Sequence, residues 1–214
     1  MTAKQQTQAR AIVVLAAGYV SGLLAYPWLP GPFLDQRPSA RVLVAFTLPT
    51  TALVVYTLFR SLWRHDRIRA GNGAFELTYN AIVFGVLLFV TALHMLVMIE
   101  LTGMLGGVVL PLPVGRVVIV LLGAALVAIG NLLPRTRPNV AVGVRTARTL
   151  SNARLWQQVH RASGYATVAL GLVMAMTGLV LRHDMLGRVV SAAALIAAMS
   201  ILIVYRRYAI ESNA

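Results

Sequence analysis

The sequence predicts an all-α, polytopic membrane protein, a bundle of about six transmembrane helices with both termini cytoplasmic. Three observations carry this. Charged residues are 12% and hydrophobic residues 58% of 214, with a mean hydropathy of +0.77, whereas a soluble domain carries roughly 25% charge. The apolar residues fall in long unbroken runs, each near the ~20 residues that cross a ~30 Å hydrocarbon core. Lysine and arginine are also unevenly divided between alternate connections, as orientation in a bilayer requires.

The runs lie at roughly 11–29, 42–63, 77–101, 116–134, 160–181 and 187–205. None alternates apolar and polar residues as a barrel strand does, so helices must satisfy their backbones in lipid. The first run follows Lys4 and Arg10 like a signal peptide. It has the length of a full span and no clean small-x-small cleavage site, and is expected to stay as a helix. Residues 1–214 read as one integral membrane domain.

With the N-terminus inside, the inner segments hold 2 + 4 + 6 + 2 = 14 basic residues and the outer ones 2 + 1 + 2 = 5. This is a positive-inside distribution, and it places the chain in the cytoplasmic membrane as a multi-pass protein. It also accounts for the net charge of +13 without direct nucleic-acid binding; the bilayer is the expected partner. There is no cysteine, which removes disulfides and thiolate chemistry.

Within the spans, Pro49 should kink the second helix. Gly164, Gly171 and Gly178 recur every seven residues on one face of the fifth. Gly18 and Gly22 form a small-xxx-small pair in the first, and the sixth is Ala- and Ser-rich from Ser191 to Ser200. Small residues let helix backbones approach closely in lipid. The apolar, Gly/Pro-rich segment 102–115 is expected to lie on the surface or re-enter the membrane.

Polar groups inside a membrane are the best functional pointers. At ~100° per residue, Glu76, Asn80, Thr91 and His94 share one narrow stripe of the third helix, and Glu100 points away from it. The stripe could be a polar track with His94 as a proton-sensitive group, or a set of side chains that hydrogen-bond and orient neighbouring helices. No metal-ligand spacing, phosphate-cradling glycine loop, nucleophile motif or carboxylate pair occurs. The expectation is therefore no enzyme, no catalytic residue, no metal and no cofactor.

The least expected stretch is "GNLLPRTRPNVAVGVRTARTLSNARLWQQVHRASGY", Gly130 to Tyr165, which carries six arginines and no acid. Topology accounts for arginines near helix ends but not for their setting among Asn131, Pro134, Asn139, Gly143, Thr146, Trp156 and His160. Its segment 135–159 is expected to be a cytoplasmic loop. A short interfacial helix, capped by Ser151 or Asn152, would carry Leu155, Trp156 and Val159 on one apolar side, with Trp156 at headgroup depth.

The order Gly130-Asn131-x-x-Pro134-Arg135-x-Arg137-Pro138-Asn139, then Gly143-Val144-Arg145-Thr146, then Thr149-Leu150-Ser151-Asn152, Trp156 and His160-Arg161, resembles the signature of the SdpI family of bacterial multi-spanning membrane proteins. The resemblance covers roughly residues 116–205. Ala147-Arg148 stands where that family typically has Pro-Trp, and Ala153-Arg154 where acids often follow Ser-Asn. The resemblance implies an immunity or sensing role: resistance to an antimicrobial peptide met outside, and docking of a cytoplasmic regulator. Asn131, Arg135, Asn139, Gly143, Arg145, Thr146, Arg148, Trp156 and His160 are the candidate binding residues of the loop. Arginine suits an acidic partner or anionic lipid because its planar fork pairs bidentately with carboxylate or phosphate. The competing reading is a small membrane transporter or lipid-acting enzyme that uses the Glu76–Asn80–Thr91–His94 stripe.

Overall fold

The computed structural model describes residues 3–30, 38–66, 73–103, 113–181 and 183–211. Arg37, Arg67, Arg69, Arg182 and most of the 102–115 segment lie outside them. The helices are α1 (Ala3–Ala25), α2 (Pro38–His65), α3 (Gly73–Thr102), α4 (Val114–Leu132), α5 (Ala147–Ser151), α6 (Ala153–Val180) and α7 (His183–Glu211). No strand occurs among the described residues. All but α5 are long and apolar enough to cross a membrane, so the six expected spans are present and the chain is a multi-pass membrane protein.

One boundary differs informatively. The fifth span does not follow a separate interfacial helix; α6 runs unbroken from Ala153 to Val180. The Asn152 side chain accepts from the Leu155 N–H at 3.0 Å, as an N-cap should. A distinct five-residue helix, α5, precedes it, capped reciprocally by Thr146 and Thr149. The sequence pattern marked the cap but divided α6 into an interfacial helix and a span.

The chain forms two compact units: residues 1–58 with 86–114, and residues 59–85 with 115–214. In the first, α1 packs on the beginning of α2 and the end of α3 around buried Ala25, Leu29, Ala45 and Met98. Pro49 sits inside a continuous α2 and has no N–H for the Ala45 carbonyl one turn back. That carbonyl is met by Gly22, where a β-carbon would stand only 2.4 Å from the Ala45 oxygen. Gly22 thus closes the approach at the point where proline frees an acceptor.

In the second unit, α4 and α6 run antiparallel with glycine facing glycine. A β-carbon on Gly130 would lie 2.9 Å from the Gly164 carbonyl, and one on Gly164 would lie 2.8 Å from that of Gly130. β-Carbons on Gly123 and Gly171 would each stand 2.6 Å from the other residue's carbonyl, and one on Gly178 would stand 3.1 Å from that of Arg116. Each step is seven residues back along α4 and seven forward along α6, the period that keeps two helices in contact along their length. Arg116 fastens the far end: its Nε donates to the Gly178 carbonyl at 2.7 Å and its Nη2 to that of Leu179 at 2.6 Å. These carbonyls belong to the last turn of α6, where the helix lacks its own donors. Phe59, Trp63, Phe75 and Tyr79 form an aromatic cluster of the same unit, tied by the Tyr79 hydroxyl donating to the Phe59 carbonyl at 2.6 Å.

Gly123→Ala and Gly171→Ala are each expected to destabilise the purified protein by about 1–3 kcal/mol, the usual cost of overpacking a tight contact. Gly85→Ala adds a carbon with nothing within 4 Å and should be neutral or gain up to about 1 kcal/mol of helix propensity. Thermal unfolding of the three variants in one detergent checks the contrast.

Candidate functional site

Between α4 and α6, residues 133–152 fold into a hook held by hydrogen bonds from buried side chains to its backbone. Pro134 ends α4 in a 3₁₀ turn, Leu133–Arg135, since its ring cannot continue the hydrogen-bond ladder. Thr136 is buried, and its hydroxyl donates to the Leu133 carbonyl at 2.7 Å. Asn139 is wholly buried. Its Oδ1 accepts from the N–H groups of Ala141 (2.9 Å) and Val142 (2.7 Å), and its Nδ2 donates to the carbonyls of Arg137 (2.7 Å) and Val142 (3.2 Å). One amide thereby organises the whole turn.

The next turn depends on Gly143 and His160. Gly143 has φ +110°, a conformation that side chains rarely adopt. A β-carbon there would also stand 1.8 Å from the His160 Nε2. The space is needed because that nitrogen accepts the Val144 N–H at 3.0 Å. The His160 Nδ1 is 2.8 Å from the Trp156 carbonyl, so the bonds assign a neutral ring protonated on Nδ1. A second proton on Nε2 would face the Val144 N–H directly. The Trp156 ring stacks on His160 at 3.8 Å and 13°, and its Nε1–H donates to the carbonyl and hydroxyl oxygens of Thr136, each at 3.2 Å.

Trp156 is therefore enclosed by the protein and is not presented to its surroundings. It is 0% exposed, because its indole N–H finds its partner inside the hook and its apolar body packs there with Leu155 and Val159, both buried. Thr146 caps α5, accepting from the Thr149 N–H at 3.2 Å while the Thr149 hydroxyl accepts from the Thr146 N–H at 2.9 Å. The Thr149 hydroxyl also reaches the Val144 carbonyl, and Tyr205 of α7 approaches the Thr146 hydroxyl at 3.4 Å.

The structure brings Asn139, Gly143, Thr146, Trp156 and His160 into one scaffold. Asn131 is exposed on the last turn of α4, and Arg135, Arg145 and Arg148 are exposed on the hook, Arg145 donating to the Val140 carbonyl. Of the candidates, these five build the hook and the arginines are displayed on it.

Sequence reasoning missed Asp66. It is buried, and its Oδ2 accepts the Val140 N–H at 3.2 Å, fastening the hook to the segment after α2. The available signal was a lone carboxylate inside "RSLWRHDRIRAGN", among four arginines. Thr136 was also missed; nothing in its local sequence marks it as the partner of Trp156.

The intramembrane stripe is divided. Thr91 and His94 are buried in the first unit, where the Thr91 hydroxyl is 3.5 Å from the Val14 carbonyl and its methyl lies near Gly18. His94 is 0% exposed, and neither ring nitrogen has a hydrogen-bond partner among the described residues. Glu76 and Asn80 are half-buried in the second unit, about 27 Å along the helix from His94 for Glu76. No group of three or more metal-ligating side chains occurs among the described residues.

Gly143→Ala should break the Val144–His160 bond and free the hook, and Asp66→Ala should loosen it by about 1–3 kcal/mol through the orphaned Val140 N–H. In a Trp28→Phe, Trp63→Phe background, Trp156 emission should shift to the red in Gly143→Ala. Faster protease cleavage within 136–146 is expected for both variants, and unchanged emission with unchanged cleavage would contradict the scaffold.

Neither a curated protein nor a solved structure matches the chain significantly. Residues 135–206 match the model described as the SdpI/YfhL protein family, so the stretch from the hook through α6 to the last turns of α7 carries the pattern of that family.

Proposed function

We propose that this is a non-enzymatic immunity or sensing protein of the cytoplasmic membrane. It would give resistance to, or sense, an antimicrobial peptide outside, with the hook docking an acidic regulator inside. The observation that carries the reading is the coincidence of the family match with the hook: the matched stretch begins at Arg135, and the family suggests an immunity-type membrane protein. The arrangement of the hook supports a docking role. Its polar residues hold one another, and Arg135, Arg137, Arg145 and Arg148 are turned outward from a held backbone. A guanidinium carried on a preorganised loop loses less freedom on pairing with a carboxylate. The positive-inside count supports an inward-facing hook.

Expression of the wild type in a host sensitive to secreted killing peptides should raise survival. Arg145→Ala, inserted to the same level, should lower it again by about tenfold, the effect of about 1.4 kcal/mol from one charge-assisted contact. Survival that never rises with any peptide of a broad panel, or that is indifferent to Arg145, would count against the proposal.

His94 favours a second reading, a small transporter or lipid-acting enzyme using the α3 stripe. A buried imidazole whose nitrogens have no close hydrogen bond among the described residues is costly, and intramembrane ionisable residues mark functional sites. On this reading His94→Ala abolishes activity in a substrate-uptake or lipid-turnover assay while membrane insertion is retained; a normal rate in that variant removes it.

A further inference from the structure

His160 closes the hook with a nitrogen that must stay unprotonated. Its ring is 0% exposed, with Nδ1 held at the Trp156 carbonyl and Nε2 accepting the Val144 N–H at 3.0 Å. The Gly143 backbone lies against the same edge of the ring, where even a β-carbon would stand 1.8 Å from Nε2. A second proton would therefore meet an N–H and packed backbone, and a charge left there without an acceptor is costly. No charged group offsets this cost. Arg135, Arg137, Arg145 and Arg148 are exposed on the hook, Asp66 holds the Val140 N–H, and Tyr205 of α7 approaches Thr146. Among the described residues, no charged side chain acts on the ring.

The two sides of the imidazole respond differently to a proton. Trp156 stacks on it at 3.8 Å and 13°, and an aromatic face attracts a cation, so a charged ring stays with its tryptophan. The Val144 N–H is repelled. The carbonyl of Val144 also accepts from the Thr149 hydroxyl, and Thr149 shares the cap of α5 with Thr146, so losing Val144 loosens the start of α5. The earlier half of the hook is held by the Thr136 hydroxyl and the Asn139 amide, which do not titrate.

We propose that His160 is an acid-released latch. With a neutral ring, the segment from Gly143 to Thr149 is closed on α6; a second proton on the ring detaches that segment while Trp156 stays in place. The latch holds above the pH of about 6.5 at which a free imidazole titrates, and weakens as pH falls below it, because the released form binds one proton more. Arg145 and Arg148 are carried on the segment, so its release withdraws them from the docking surface. That consequence rests on the docking reading; the latch itself does not.

The chain has no cysteine, so Ala147→Cys, at an exposed position of α5, gives the full-length protein in detergent a single nitroxide label. Its electron paramagnetic resonance line shape should gain a mobile component as pH falls below about 6.5. The mobile-to-immobile ratio should rise by up to about tenfold per pH unit, the slope of a release linked to one proton. A label at Leu195→Cys, on the exposed apolar surface of α7, should keep its line shape. His160→Gln should remove the pH dependence, and Gly143→Ala should be mobile throughout. His65→Gln, His94→Gln and His183→Gln should each retain the transition, and they decide the assignment by themselves where His160→Gln does not fold. The latch is overturned by a line shape at residue 147 that is indifferent to pH, by a transition that survives in His160→Gln or disappears in one of the other histidine variants, or by a parallel change at residue 195.

Discussion

The second unit depends on how closely α4 and α6 can approach. In lipid, helices are not driven together by the release of water from apolar surface; contact area and backbone proximity must hold them. Glycine facing glycine at 130/164 and 123/171 removes the side chains that would keep the backbones apart. The seven-residue period makes the contact continuous instead of a single crossing. Arg116 adds donors to the end of α6 at a point where carbonyls would otherwise lack them.

The hook is a consequence of that contact. Gly164 packs against both Gly130 and the Pro134 ring, so the place where the chain leaves α4 is set against the first turns of α6. The intervening residues have to close within this fixed gap, and they do so mostly through side chains bonding to backbone. Trp156, His160 and Thr149 reach up from the helices to Thr136, Val144 and the cap at Thr146. Asn139 holds the N–H groups of Ala141 and Val142, and Asp66 holds that of Val140. Such a network is rigid because a missing partner leaves a buried polar group unpaired. Arg135, Arg137, Arg145 and Arg148 are among the exposed residues of the hook.

The first unit is organised differently. Pro49 frees the Ala45 carbonyl and Gly22 closes on it, so a helix-breaking residue sits at an interhelical contact. Beside it, His94 is buried with neither ring nitrogen in a close hydrogen bond to a described residue. The two units therefore treat histidine differently: His160 uses both ring nitrogens to fold a loop, while neither nitrogen of His94 makes a close hydrogen bond to a described residue. That contrast is the physical reason for keeping a functional reading for α3 alongside the docking role of the hook.

Hydropathy and arginine spacing alone determined six spans, because length and apolarity are properties of local sequence and lipid tolerates few alternatives. The heptad of Gly164, Gly171 and Gly178 was legible as a packing face for the same reason; its partners Gly123 and Gly130 were not, since nothing local says which helix will face it. The candidate residues of the hook were legible as a pattern, yet their roles were not. Whether Trp156 faces headgroups or a protein interior depends on whether Thr136, twenty residues earlier, meets its N–H. Asp66 shows the limit most clearly: its bond to Val140 spans 74 residues of sequence, and only the tertiary fold brings a solitary acid in a basic loop to the N–H that it holds.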